Sequence, residues 1–390
     1  SLFMKTLVSL LLLFSISLTF GQKTIYKEYN SEVLNDTRDL SIYLPKSYDK
    51  DSISNFPLAI VLDGHKLFDV YVGASNYYAE LDQAPEQIVV GIDMKGSRNK
   101  DAGYDIISGN LDNNSENFYR FIRDEMIPYI EATFKTSPFL TIVGESLTAN
   151  YITHFLKEEY SIFNAYICLN PTLSNTIINQ VESYQLQELS SEDNTFYFYL
   201  SSNPFSNTKK KDKIKNFGKT IKSYEIDNFN VVFDELTSSP SSSSSIGEGI
   251  FRAFAKVFEI YSGITKTEYN EKVKNLSPPE AISYLEIKYL DIEFLFGANI
   301  GIRKADVFAI EDIILDKEGG DYLDDFGKMI LKLFPTSEMG HYYLGKYYES
   351  GKDFKRALQQ YRLGYGKMNP RDPNADLFYQ NVERLVNKTD

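Results

Sequence analysis

The sequence predicts an α/β domain, built as a mainly parallel sheet with helices on both faces, followed by an all-helical tail. Three observations predict it. Short apolar runs alternate with helical patterns from about residue 40 to 261, as expected of strand–helix–strand units covered on both faces. One such run, 139–143, leads through Gly144-Glu145-Ser146 straight into a helical pattern at Leu147. From about residue 265 only helical patterns remain, with small residues and aromatics spaced as in paired helices.

At the start of the chain, Met4-Lys5, an apolar stretch over 7–20 and Thr19-Phe20-Gly21 ahead of Gln22 read as an export signal over 1–21. The stretch is short for a membrane span, and no cysteine follows it to carry a lipid, so a periplasmic or secreted protein without a lipoprotein anchor is expected. The sole cysteine, Cys168, sits in an apolar run and reads as a small buried hydrophobe. Without disulfides the chain must rely on its core, which 390 residues at 43% hydrophobic content allow. A net charge of −13 argues against nucleic acid, because little would neutralise a phosphate backbone.

Strands are expected over 40–44 and 58–62, separated by a polar loop, and over 87–92. A Gly- and Asn-rich loop, 93–114, precedes an amphipathic helix over 116–134. In that helix Phe118, Phe121, Ile122, Met126 and Ile130 keep helical spacing, and Pro128 is placed to kink it. After the helix over 147–157 come strands over 165–169, 196–200 and 231–235, alternating with helices, and a last helix over 246–261. Lys209 to Lys213 read as a solvated helix start, and the serine-rich stretch 238–245 as a flexible loop. In the tail, Leu344-Gly345, Tyr348, Ala357, Tyr361, Gly364 and Pro370 match the tetratricopeptide spacing, with a weaker helical pair at 307–314 and 322–333 before it. Such a tail is either a cap on the first domain or a groove for a partner's peptide.

The strand–Gly144-x-Ser146–helix context is that of a nucleophile elbow, in which a sharp turn raises a serine hydroxyl above the sheet and the next N–H faces a developing oxyanion. The full motif is Gly-x-Ser-x-Gly, and Thr148 stands at the second glycine. Ligands in such sheets sit beyond the carboxyl ends of the strands, where Ser146 lies. No helix-spaced His/Glu pair suggests a metal.

Leu62-Asp63-Gly64 with Leu67-Phe68, Val90-Gly91-Ile92 and Ser97-Arg98 carry a family resemblance. So do Phe121-Ile122, Glu125, Ile127-Pro128-Tyr129-Ile130-Glu131, and Phe163-Asn164-Ala165-Tyr166-Ile167 with Asn170-Pro171. On these residues the chain resembles the esterase D group of α/β-hydrolases, in the exported subset with a C-terminal tetratricopeptide extension. The resemblance implies an esterase-like domain over 23–263 and a helical domain over 265–390. It also implies serine esterase chemistry on acyl, phenolic, acetyl or siderophore esters, without a cofactor. It places the nucleophile at Ser146 and the oxyanion donors at the backbone N–H groups near Gly64 and Leu147.

The departures fall on the chemistry. Glu145, Thr148 and Ala149 replace a histidine and two glycines of the family elbow, and β-branched Thr148 is expected to crowd the turn. The loop that carries the family histidine reads Leu236-Thr237-Ser238-Ser239-Pro240-Ser241, and no histidine lies between His154 and His341. Where the family acid is expected, Ser201-Ser202-Asn203-Pro204 offers no carboxylate before Asp212. His65, in the loop bordering the elbow, is the remaining candidate base; His154 and His341 read as structural. Glu145 is expected to pack beneath the elbow rather than act on water. A serine without a base is a weak nucleophile: in a serine protease, loss of the histidine costs roughly a million-fold in turnover.

The expectation is therefore an exported pseudo-esterase, acting as a binding or scaffold component through its tail within a cell-envelope assembly. Two others compete with it. One is an active serine carboxylesterase using Ser146 and an unconventional base, His65 first. The other is a carbohydrate- or small-ligand-binding module with a rim of Tyr71, Tyr77, Tyr78 and Tyr104.

Overall fold

The apolar runs pair into one sheet, seen in a computed structural model that describes residues 23–390 apart from 51–53, 158–160, 185, 192–193, 298–299, 370, 373–374 and 390. The expected export signal, residues 1–21, and Pro370 lie outside the described residues. The strands are β1 (Lys23–Ser31), β2 (Asp36–Leu44), β3 (Phe56–Val61), β4 (Ile88–Ile92), β5 (Thr136–Glu145), β6 (Ala165–Leu169), β7 (Phe196–Ser202) and β8 (Phe229–Glu235). Their order is β1-β2-β4-β3-β5-β6-β7-β8. β1 and β2 pair antiparallel, as do β2 and β4, and the remaining pairs are parallel. Every residue of β3, β4 and β6 is buried, which is why these strands read as unbroken apolar runs. β1 escapes the sequence reading because it is an edge strand with a mostly exposed, charged pattern.

Helices cover both faces. On one, α1 (Gly64–Glu80) and the last helix of the α/β part supply Leu67, Phe68, Tyr71, Ile250 and Phe254 to one core. On the other, Phe118, Phe121, Ile122 and Ile130 pack beside Ile152, Ile214 and Phe217. The long helix before the elbow starts at Asn113, because the Asp112 carboxylate accepts from the N–H groups of Asn114 and Ser115. It runs as α2 (Asn113–Arg120), a π-helical segment (Phe121–Met126) and α3 (Ile127–Thr133). The wider π turn lies directly before Pro128, which has no N–H to continue the ordinary ladder.

After the elbow come α4 (Leu147–Ile152), a 3-10 turn (Thr153–Lys157), α5 (Thr208–Lys222) and α6 (Ser242–Val257). The serine stretch is not a free loop throughout: α6 starts inside it, with the Ser241 hydroxyl accepting from Ser244 N at 3.0 Å. Those serines are capping chemistry.

The tail contains α7 (Pro278–Phe296), α8 (Lys304–Glu318), α9 (Leu323–Leu333), α10 (Glu338–Ser350), α11 (Phe354–Lys367) and α12 (Ala375–Thr389). α10 and α11 form a helical hairpin in which a Cβ at Gly345 would lie 2.6 Å from the Tyr361 ring, so only glycine fits. The expected boundary near 263–265 is a change of secondary structure but not a break in the core. Phe296 of α7 meets Phe139 of β5 at 4.8 Å and Phe258 at 5.6 Å between ring centroids. Arg303 pairs with Asp82, its guanidinium 5.2 Å from the Tyr261 ring centroid. Phe296→Ala should therefore cost about 4 kcal/mol, read as a lower urea midpoint with sheet and tail signals moving together.

Candidate functional site

From β3 the sheet grows one way through β4, and from β5 the other way through β6 to β8. The crevice at such a switch opens beyond the carboxyl ends of β3 and β5, which lie side by side with Val61 opposite Val143. Two helices start there, α1 at Gly64 and α4 at Leu147. Between strand and helix, Ser146 takes φ 57°, ψ −105°, a backbone state costing on the order of 1–3 kcal/mol for a residue with a side chain. Neighbouring strand ends hold it: Ser146 N donates to Leu169 O at 2.9 Å, and its carbonyl accepts from Thr172 N at 2.8 Å. A Cβ on Gly144 would lie 2.6 Å from the Thr148 carbonyl carbon, so this glycine permits the turn.

Thr148 does not disrupt the turn. It is buried, accepts from Glu145 N at 2.9 Å, and donates to Asp63 Oδ2 at 2.8 Å. Asp63, wholly buried and left-handed at φ 54°, also accepts from Arg98 Nε at 2.7 Å. Arg98 Nη2 donates to Glu145 O at 2.7 Å and reaches Glu145 Oε2 at 3.3 Å. Burial raises the Glu145 carboxyl pKa, with Arg98 opposing and Asp63 adding to the rise. Glu145 is thus occupied with Arg98 at the elbow. Gly64 sits so close to β4 that a Cβ would lie 2.9 Å from Gly91 C and Ile92 N. Gly64 and Leu147 each open a helix, so their N–H groups have no intrahelical acceptor and lie on adjacent strand ends.

The partner of Ser146 is a hydroxyl. Ser146 Oγ and Thr172 Oγ1 share a hydrogen bond of 2.8 Å, and Lys210 Nζ donates to Thr172 Oγ1 at 3.3 Å. Among the described residues no imidazole is hydrogen-bonded to Ser146. His65, the candidate base, turns instead to Asp93, with Nδ1 3.4 Å from Oδ1. His154 is buried in the 3-10 turn after α4, where burial first and Lys157 second push its pKa down to about 3. His341 Nδ1 bonds Gln360 Oε1 at 2.8 Å in the tail. At the end of β7, Ser201, Ser202 and Asn203 are buried, and Asn203 Nδ2 donates to the Ser242 hydroxyl at the start of α6. A neutral amide–hydroxyl pair joins the two segments in which the family acid and base were sought.

Sequence reasoning missed Thr172 and Lys210. The lysine run is not simply solvated: Lys210 is half-buried, and burial lowers its pKa, with Glu145 opposing. Lysines of this helix start and Thr172 line a cavity of about 220 Å³. The expected tyrosine rim is not formed. Tyr71 is wholly buried and donates to Gln87 Oε1 at 3.1 Å. Tyr77 and Tyr78 pack on Phe251, and Tyr104 bridges to Leu111. Apolar covering of the sheet accounts for Tyr71 and Tyr78, ring contacts with Tyr78 and Phe251 for the exposed Tyr77, and local loop pairing for Tyr104. Cys168 is buried and free.

The family model described as "Putative esterase" matches residues 31–223, ending before the loop that follows β8. A crystal structure of an uncharacterised protein from Capnocytophaga ochracea is 23% identical with a TM-score of 0.80, covering 94% of this chain and 100% of that one. An IroE-like serine hydrolase from Shewanella oneidensis is 18% identical with a TM-score of 0.54, covering 89% of this chain and 100% of its own. No curated protein matches the chain. The fold is that of esterase-like hydrolases in its N-terminal part, with an all-helical region after it.

Two outcomes follow from the buried groups. Arg98→Ala leaves the Asp63 carboxylate short of its charged partner and should cost about 3 kcal/mol, measured by urea unfolding. His154 stays neutral in the fold down to about pH 3, whereas in the unfolded chain it takes a proton below about 6.5. Its contribution is full above that value and falls by about 1.4 kcal/mol per pH unit as pH drops from there towards the folded value. Between pH 7.5 and 5.0 the wild type should lose about 2 kcal/mol more than His154→Phe.

Proposed function

We propose that this protein is an exported, esterase-like hydrolase-fold protein that no longer turns over esters at enzymatic rates and serves as a binding or scaffold component. The observation that carries the reading is the partner of Ser146: the Thr172 hydroxyl, 2.8 Å away. A hydroxyl next to a serine cannot take up its proton at neutral pH, so the oxygen stays a poor nucleophile as it meets an acyl carbon. Backbone oxyanion donors and binding alone leave roughly a thousand-fold over water. Export is supported by the pattern over residues 4–22. Partner binding through a tetratricopeptide-like tail is supported by the α10–α11 hairpin, with Gly345 beneath Tyr361. The match to the putative-esterase family model puts ester-bearing molecules first among ligands to try.

With 4-nitrophenyl acetate, the purified protein should hydrolyse no faster than Ser146→Ala, and a fluorophosphonate probe should leave Ser146 unlabelled. Hydrolysis at ordinary esterase rates that disappears in Ser146→Ala would overturn the reading.

The chain of bonds from Ser146 through Thr172 to Lys210 favours one second reading, a slow serine carboxylesterase. A neutral Lys210 amine takes a proton from Thr172 as Thr172 takes one from Ser146, and the serine oxygen bonds to the acyl carbon. The alcohol leaves with a proton, and water then releases the acid and restores Ser146. Burial favours the neutral amine this requires. Under this reading the rate rises with pH through the titration of the amine and disappears in Thr172→Val and Lys210→Ala, while His65→Ala leaves it unchanged.

A further inference from the structure

The chain carries 54 acidic against 41 basic residues, yet the cavity beside Ser146 is cationic. Lys209, Lys210 and Lys213, from the first two turns of α5, line its volume of about 220 Å³ together with Thr172, Leu173 and Asn175. The hydrogen bonds of Lys210 and Lys213 go to neutral oxygens. Lys210 donates to Thr172 Oγ1 at 3.3 Å, and Lys213 donates to Asn175 Oδ1 at 2.7 Å and Leu173 O at 3.4 Å. Among the described residues, none of the three forms an ion pair with a carboxylate. Among the described residues the carboxylate whose charge acts on Lys210 is Glu145, and it is already 3.3 Å from Arg98 Nη2.

Burial lowers the pKa of both Lys210 and Lys213, and Lys209 adds repulsion at Lys213. Partly desolvated positive charge without a counter-charge is costly, and either loss of a proton or a bound anion relieves it. The neutral oxygens hold the Lys210 and Lys213 amines on the cavity without neutralising them.

We propose that this cavity is a binding site for a small organic oxyanion, a carboxylate or phosphoryl group on a body about the size of one aromatic ring, held by Lys209, Lys210 and Lys213 with Thr172 and Asn175 beside them. The site goes beyond the non-hydrolytic reading and does not depend on it. Benzoate, the probe below, offers Ser146 no ester to cleave, so the two readings fail separately.

The test is calorimetric titration of the full chain with benzoate, its neutral isostere benzamide, and phenyl phosphate. At least one anion should bind about tenfold or more tighter than benzamide, and added salt should weaken the anion alone. The double variant Lys210→Met/Lys213→Met should lose about tenfold or more in anion affinity, and Lys210→Arg/Lys213→Arg should retain it. Melting curves report whether each variant is folded, and the salt dependence of the wild type stands even if one is not. The tighter of the two anions identifies the head group. The proposal is overturned if neither anion binds up to about 20 mM, if benzamide binds equally well, or if the folded Met variant binds unchanged.

Discussion

Asp63 is wholly buried at the end of β3, and its charge is tolerable there because Arg98 Nε and the Thr148 hydroxyl both reach it, at 2.7 and 2.8 Å. A buried carboxylate needs such partners, since removing one leaves an uncompensated charge. The same Arg98 and Thr148 also hold Glu145, so a single network ties the loop after β3 to the turn after β5. It opposes the strain at Ser146 and keeps Gly64 and Leu147 on facing helix starts. The shape of the reaction centre therefore rests on groups that need take no part in a reaction.

That separation means that the form of the centre does not depend on a catalytic pair. The turn needs Gly144 for space, Asp63 for anchorage and the β6 end to bond Ser146. It does not need an imidazole. Asn203 and Ser242 bond each other where β7 meets α6, while the Ser202 hydroxyl beside them is buried without a hydrogen-bond partner. Thr172 in turn bonds the Ser146 hydroxyl directly.

What the sequence showed was whatever is encoded locally. The apolar runs of β3, β4 and β6 were legible because both faces are covered, and the Gly144–Ser146 turn because strand and helix signals flank it. Gly345 and Tyr361 announced the tail hairpin through their size alone. The rest depends on pairings across the chain. β1 has little apolar signal and exists by bonding to β2. Thr148 read as a clash because its hydroxyl partner, Asp63, lies 85 positions away. Lys210 and Thr172 meet across 38 positions, and Ser146 and Thr172 across 26, so no local pattern joins them. The tyrosines were misread because an aromatic near a loop looks the same whether it faces a ligand or, as Tyr71 does, the sheet.

The ring of Phe296 tucked against Phe139 carries a mechanical consequence. A helical appendage joined by a slack linker would let whatever it grips wander independently of the crevice. Here α7 is seated on one face of the sheet, in the core that covers it, and Arg303 is clasped by Asp82. The molecule is accordingly a bracket rather than two beads on a string: the helices joined through α7 keep one bearing and one reach relative to Ser146.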